Sequence, residues 1–158
     1  MASLGKALEI AARAHEGQRD KEGLPYIQHP LRVMGRVSGE DAQIVAILHD
    51  VVEDTAVTID DLRAAGFSDG ILTAVQLVTH ERSVPYADYV VACKANATAR
   101  AVKLGDLADN CRLDRMILRP ARVQHDFARI HRYFLSYKFL TDQISEADYR
   151  SLMSQHGS

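Results

Sequence analysis

Residues 41–55 read DAQIVAILHDVVEDT, with no Lys or Arg anywhere between Glu40 and Leu62. At about 100° per residue, Ile47, Leu48, Val51 and Val52 fall within roughly 80° of Ile44 on a helix. That stripe has to be buried. On the same wheel His49, Asp50 and Glu53 fall at about 140°, 240° and 180°, on the opposite side, with Asp54 at about 280° on its border. Two readings of that side are open. It is a solvated polar face, or it lines a site where something positive neutralises it. Solvated faces usually mix signs to gain i,i+4 pairs, whereas Asp50 and Asp54 sit four apart with nothing cationic near them. A metal ion is the economical partner for such a cluster.

The rest of the chain scans the same way, and no strand alternation competes with the helical period. Ser3 opens a helix over SLGKALEIAARAHEG with Gly17 as its stop. QRDKEGLPY is a polar loop punctuated by Gly23 and Pro25. Pro30 reads as the first residue of a second helix, which puts His29 at its N-cap. The third helix runs from Asp41 to Glu53, and Thr58 caps a short one over IDDLRAAG. Further helices are predicted over 69–80, 85–95 and 97–109, a long one from about Arg119 to Leu140, and a last one capped by Ser145. With no linker, repeat or low-complexity tract, residues 1–158 read as one all-α bundle.

The bulk numbers exclude several classes of function. A net charge of −2 offers no electrostatic footprint for nucleic acid or a membrane surface. No apolar run approaches the roughly 18 residues of a membrane span, and MASLGKALEI lacks the long apolar stretch of a signal peptide. Cys93 and Cys111 read as two reduced thiols used for packing in a cytoplasmic protein. Oligomeric state is left open.

A metal site needs ligands from elsewhere, and two segments offer them. His29 at a helix N-terminus is expected to stay neutral, as a ligand must. VKLGDLADN places Asp106 and Asn110 one turn apart on one helix face. The remaining histidines, His15, His80, His125, His131 and His156, have no comparable setting and read as surface or packing residues. Two imidazoles and two carboxylates suit Mn, Fe, Co or Zn better than Ca or Mg. Glu53 and Asp54 are then placed to orient or deprotonate a water.

The ordered set His29, His49–Asp50, Asp106 resembles the signature of the HD superfamily of metal-dependent phosphohydrolases. PYIQHPLRV, LHDVVEDT and VKLGDLADN each resemble a block of the alarmone hydrolase domain of RelA/SpoT-type proteins, in the same order. With no synthetase domain following, the chain is similar to the stand-alone small alarmone hydrolases. The resemblance implies an all-α HD bundle with metal ligands His29, His49, Asp50 and Asp106, usually holding Mn²⁺, and catalytic acids Glu53 and Asp54. It also implies substrate contacts from Lys21, Asn110 and Tyr133, the last beside Phe134. The reaction implied is hydrolysis of guanosine 3′,5′-bis(diphosphate), or its 5′-triphosphate analogue, to GDP or GTP and pyrophosphate.

Three positions depart from that pattern. Asp20 stands where members acting on guanosine tetraphosphate tend to carry Arg, a poor neighbour for diphosphates unless Arg19 or Lys21 takes over. Leu107 and Asp109 replace a basic residue and a His or Tyr. These departures motivate a rival reading, an HD phosphohydrolase acting on another phosphorylated nucleotide. A non-catalytic nucleotide-binding module is a second rival, and a purely structural helical bundle a third. Cationic help for the anionic product is expected from Arg112 to Lys138, with Arg129 and Arg132 the residues to test. Tyr86 and Tyr89, spaced three apart, read as core and receive no function.

Overall fold

In the computed structural model, which describes residues 1–155, ten α-helices and one 3₁₀ turn follow one another. His156 lies outside the described residues. The helices are α1 (Leu4–Ala14), α2 (Gln28–Met34), α3 (Glu40–Leu48), α4 (Val51–Asp54) and α5 (Ile59–Ala64). They continue with α6 (Asp69–Val78), α7 (Tyr86–Lys94), α8 (Ala97–Asn110), α9 (Val123–Leu140) and α10 (Glu146–Ser154). Local chemistry accounts for half of the α-helix starts. The side chains of Ser3, Ser68, Asn96 and Ser145 each accept a hydrogen bond from a backbone N–H of the first turn. Thr58 and Asp61 form a reciprocal capping box on α5. Gly17, at φ +77°, takes the left-handed conformation just after α1. Among the described residues the only β pairing is an isolated bridge between Arg19 and Pro25, inside the polar loop.

Helix α3 is the centre of the molecule, packing against α1, α2, α6 and α8. Ile44 to Leu48 are all buried, so the second half of the helix is covered on every side rather than along one stripe, while Glu40 and Asp41 at its start are exposed. Each large aliphatic side chain there contributes about 1.5–3 kcal/mol by leaving water. The core continues through Leu72, Val75, Val90, Val102 and Phe139. No helix among the described residues is long and apolar enough to cross a membrane.

Three expectations are corrected. The third helix does not run unbroken to Glu53: it ends at Leu48 and restarts at Val51. The His49 Nδ1–H donates to the carbonyl of Ala46, one of the acceptors that the end of α3 leaves open. Helix α2 begins at Gln28, which puts His29 inside its first turn. The long helix is preceded by a separate 3₁₀ turn, Pro120–Arg122, because Arg122, at φ −133° and ψ 23°, leaves the helical conformation before Val123.

Helices α2 and α8 approach closely at Gly105, where an added Cβ would meet Val33 Cγ1 at 3.2 Å and the Val33 carbonyl at 3.5 Å. Gly105→Val is therefore expected to destabilise the fold by about 1–3 kcal/mol through overpacking, measurable as a lower urea midpoint. It should also weaken metal binding, since α2 carries His29.

Candidate active site

Three helices bring four polar side chains together. His29 comes from the first turn of α2, His49 and Asp50 from the break between α3 and α4, and Asp106 from α8. His29 Nε2 lies 3.1 Å from Asp106 Oδ1 and 3.6 Å from Asp50 Oδ2. His49 Nε2 lies 3.1 Å from Asp50 Oδ2 and 3.8 Å from Asp106 Oδ1. Ligand atoms of His29, His49 and Asp50 all fall within 4.8 Å of one another. The helix break matters here, because neighbours on a regular helix diverge by about 100°, whereas His49 and Asp50 converge. Both imidazoles give Nδ1 to the protein, His29 to Asp109 and His49 to Ala46, and so turn Nε2 toward the same point.

His49 Nε2 is buried, faces two carboxylates and makes no well-aligned hydrogen bond to either, which leaves room for another partner there. Two Nε2 atoms and two carboxylates form a borderline-soft mixed set, and the residues fit a divalent cation. With protein groups alone, burial opposes the charge on His29, but hydrogen bonds to Asp106 and Asp109 prevail and raise its pKa. Burial opposes the His49 charge too, yet the neighbouring Asp50 and Asp106 carry its pKa well up. The neighbouring carboxylates thus favour the charged ring, in the direction opposite to the helix start. Burial likewise acts against Asp106, and Lys103 above all, with the two histidines, holds its carboxyl well below the ordinary range. Asp50 is lowered as well, against burial, chiefly by His49.

Around the quartet lies a cavity of about 470 Å³, within the range of small-molecule sites. Glu53 and Asp54 line it, at the end of α4. The His80 backbone N–H donates to Glu53 Oε2 at 2.9 Å. Gln18 donates to the Asp54 carbonyl at 3.2 Å. Burial raises the pKa of both carboxyls, and the Asp50 charge adds to it. Lys21, Asn110 and Tyr133 also line the cavity, so every site residue expected from sequence reaches one space. Asn110 gives its Nδ2–H to Asp106 Oδ1 at 2.6 Å. Arg129 and Arg132 reach it from α9, while Arg112 pairs with Asp114 and Arg119 with Asp126.

Known proteins share this sequence pattern. The family model described as "HD domain" matches residues 7–112. This chain belongs to the HD-domain family. It is 36% identical over 124 residues to the guanosine-3′,5′-bis(diphosphate) 3′-pyrophosphohydrolase MESH1 of Danio rerio, covering 70% of this chain and 68% of that one. The Homo sapiens protein of the same name is 35% identical over 125 residues, covering 70% and 69%. A GTP pyrophosphokinase of Streptomyces coelicolor is 34% identical over 127 residues, covering 72% of this chain but 15% of the longer protein. A solved structure described as "A metazoan ortholog of SpoT hydrolyzes ppGpp and plays a role in starvation responses" shares the fold. Its TM-score is 0.72 at 24% identity, covering 99% of this chain and 97% of that one.

In this HD domain several contributors escaped the sequence reading. Tyr26 donates its hydroxyl to Asp50 Oδ2 at 2.6 Å and lies 3.4 Å from Asp54 Oδ2. Lys103, 7% exposed, donates to Asp106 Oδ2 at 2.8 Å and lies over the rings of Tyr86 and Tyr89. Its i,i+3 spacing from Asp106 was the available signal. Tyr86, Tyr89 and His80, expected as core or surface, line the cavity wall. Tyr89 nonetheless spends its hydroxyl on the Val78 carbonyl, a structural bond. Cys93 is buried and donates to the Leu77 carbonyl, with burial pushing its thiol up to about 11, in keeping with a packing role.

The pKa directions set a pH dependence. The raised pKa values of His29 and His49 stabilise the metal-free protein below their unfolded value and lose that contribution as pH rises through the folded values. The lowered carboxyls of Asp50 and Asp106 stabilise it above the ordinary carboxylate range and lose that contribution in acid. In chelator-treated protein, the gain in melting temperature on adding a divalent ion should therefore be larger at pH 8.5 than at pH 6. An equal gain at both would contradict the proton–metal competition.

Proposed function

We propose that this chain is a metal-dependent hydrolase that converts guanosine 3′,5′-bis(diphosphate), and its 5′-triphosphate analogue, to GDP or GTP and pyrophosphate. The observation that carries the reading is the His29, His49, Asp50, Asp106 quartet with the Glu53–Asp54 pair beside it, in one cavity of nucleotide size. Its support beyond the site is the similarity to proteins named for that hydrolysis. The native ion is read as Mn²⁺, which the mixed imidazole–carboxylate set accommodates. Residues 1–158 are read as one hydrolase domain, supported by a single contiguous core. A cytoplasmic location is read from the two free thiols.

His29, His49, Asp50 and Asp106 would hold a divalent cation, which when bound would supply Lewis-acid activation of water and charge neutralisation at phosphate. The remaining work falls to side chains. Glu53 and Asp54, with carboxyls raised by burial, accept the proton of the attacking water at the 3′ phosphorus. The bond between that phosphorus and O3′ breaks, a proton returns to O3′, and pyrophosphate departs with the water oxygen. Tyr26 keeps Asp50 and Asp54 from swinging apart. Asn110, its amide N–H committed to Asp106, offers its carbonyl to a substrate donor. Lys21 at the loop and Tyr133 on α9 are read as contacts to the nucleotide, with Arg129 and Arg132 beside Tyr133 answering phosphate charge.

The partners of Asp20 support a diphosphate despite its charge. Its Oδ1 accepts from the N–H groups of Glu22 and Leu24, and its Oδ2 pairs with Arg115 at 3.1 Å, which offsets that charge.

Incubation of guanosine tetraphosphate with the Mn²⁺-loaded protein should release GDP and pyrophosphate, and Asp50→Ala should release neither. Glu53→Gln should retain metal and lose about 10²–10⁴-fold in kcat. Release of orthophosphate instead would move the substrate to another phosphorylated nucleotide, and full turnover by Glu53→Gln and Asp54→Asn alike would remove those two from the mechanism.

A further inference from the structure

The two imidazoles of the quartet are backed differently. His49 Nδ1–H rests on a neutral acceptor, the Ala46 carbonyl, at 2.7 Å. His29 Nδ1–H rests on a carboxylate, Asp109 Oδ2, also at 2.7 Å. Asp109 is 0% exposed. Its position is one of the departures from the family pattern, where a His or Tyr would stand.

An ionised carboxylate buried this way has to be compensated: two arginines hydrogen-bond to it, and Arg112 Nη1 lies 3.9 Å from Oδ1. Arg32 donates Nε to Asp109 Oδ1 at 2.8 Å and Nη2 to Oδ2 at 3.1 Å. Arg115 donates to Oδ2 through Nη1. Arg115 is itself anchored, with Nη2 on Asp20 and Nε on Glu22, each at 3.1 Å. Arg32 and His29 lie three apart on α2, so one helical face presents both partners to a single carboxylate on α8. The carboxylate has no freedom to leave His29, and the ring has no freedom to turn.

We propose that Asp109 is a positioning residue for the metal centre. It holds His29 in the tautomer whose Nε2 lone pair faces Asp50, His49 and Asp106, and its charge makes that nitrogen a stronger donor than a carbonyl-backed imidazole. Carboxylate-backed histidines act this way at metal sites in general, and loss of such a backing group typically lowers metal affinity about 10–100-fold. The inference rests on the reading of the quartet as a metal centre.

The test uses the full chain, stripped by a chelator and titrated with metal alone. Mn²⁺ affinity is read by competition with a chelating dye, and Co²⁺ coordination by visible absorption. Wild type should bind one equivalent. Asp109→Ala should bind about 10–100-fold more weakly, with an altered Co²⁺ spectrum as the freed ring rotates. Asp109→Asn keeps an acceptor of the same shape without the charge and should fall between the two. Thermal melts of the metal-free variants report the separate cost to the fold. If Asp109→Ala does not fold, Asp109→Asn decides. Affinities and spectra matching wild type in the variants that fold would overturn the proposal, whereas a wild type that binds no metal would instead overturn the metal-centre reading. No substrate enters the experiment, so its outcome does not depend on which nucleotide is hydrolysed.

Discussion

The charge of Asp106 is what the site is arranged around. A carboxylate this deeply buried is tolerated only if its lone pairs are answered, since an isolated one costs several kcal/mol. Lys103 answers from one turn earlier on α8, Asn110 from one turn later, and His29 approaches from α2. Lys103 in turn is buried and needs the rings of Tyr86 and Tyr89 for cover. Helix α7, which carries both rings, is thereby tied to α8 by the same charge. A change at any member leaves another buried group without its partner.

Geometry follows from where the groups stand. The four candidate ligands sit in helices or at the break between two helices, and the buried second half of helix α3 holds that break in place. Side chains on packed helices are positioned more tightly than those on loops. The break lets adjacent residues His49 and Asp50 aim at one point. The Ala46 carbonyl, released at the end of α3, becomes the acceptor that orients His49. One local irregularity therefore orients two candidate ligands.

Much of this was legible in the chain itself. Helix positions followed from period and caps, because Ser3, Thr58 and Ser145 act on backbone groups within three residues of themselves. Every expected site residue reaches the cavity. What the pattern could not show was pairing at a distance. Asp20 read as a poor neighbour for diphosphates, and its pairing with Arg115, 95 positions later, had no local signal. Asp109 read as a replaced nucleotide contact, and its bond to His29 across 80 positions was equally hidden. Lys103 went unnoticed because a lysine on a helix is ordinarily solvated.

By itself, then, the sequence determined the helices, the family blocks and the identity of the groups that could ligate a cation, since each depends on spacing within a turn or two. The tertiary structure decided which charges neutralise which, where α3 breaks and which way each imidazole faces. Those outcomes depend on Coulomb and hydrogen-bond partners brought within about 3 Å by packing, and no local period encodes that distance.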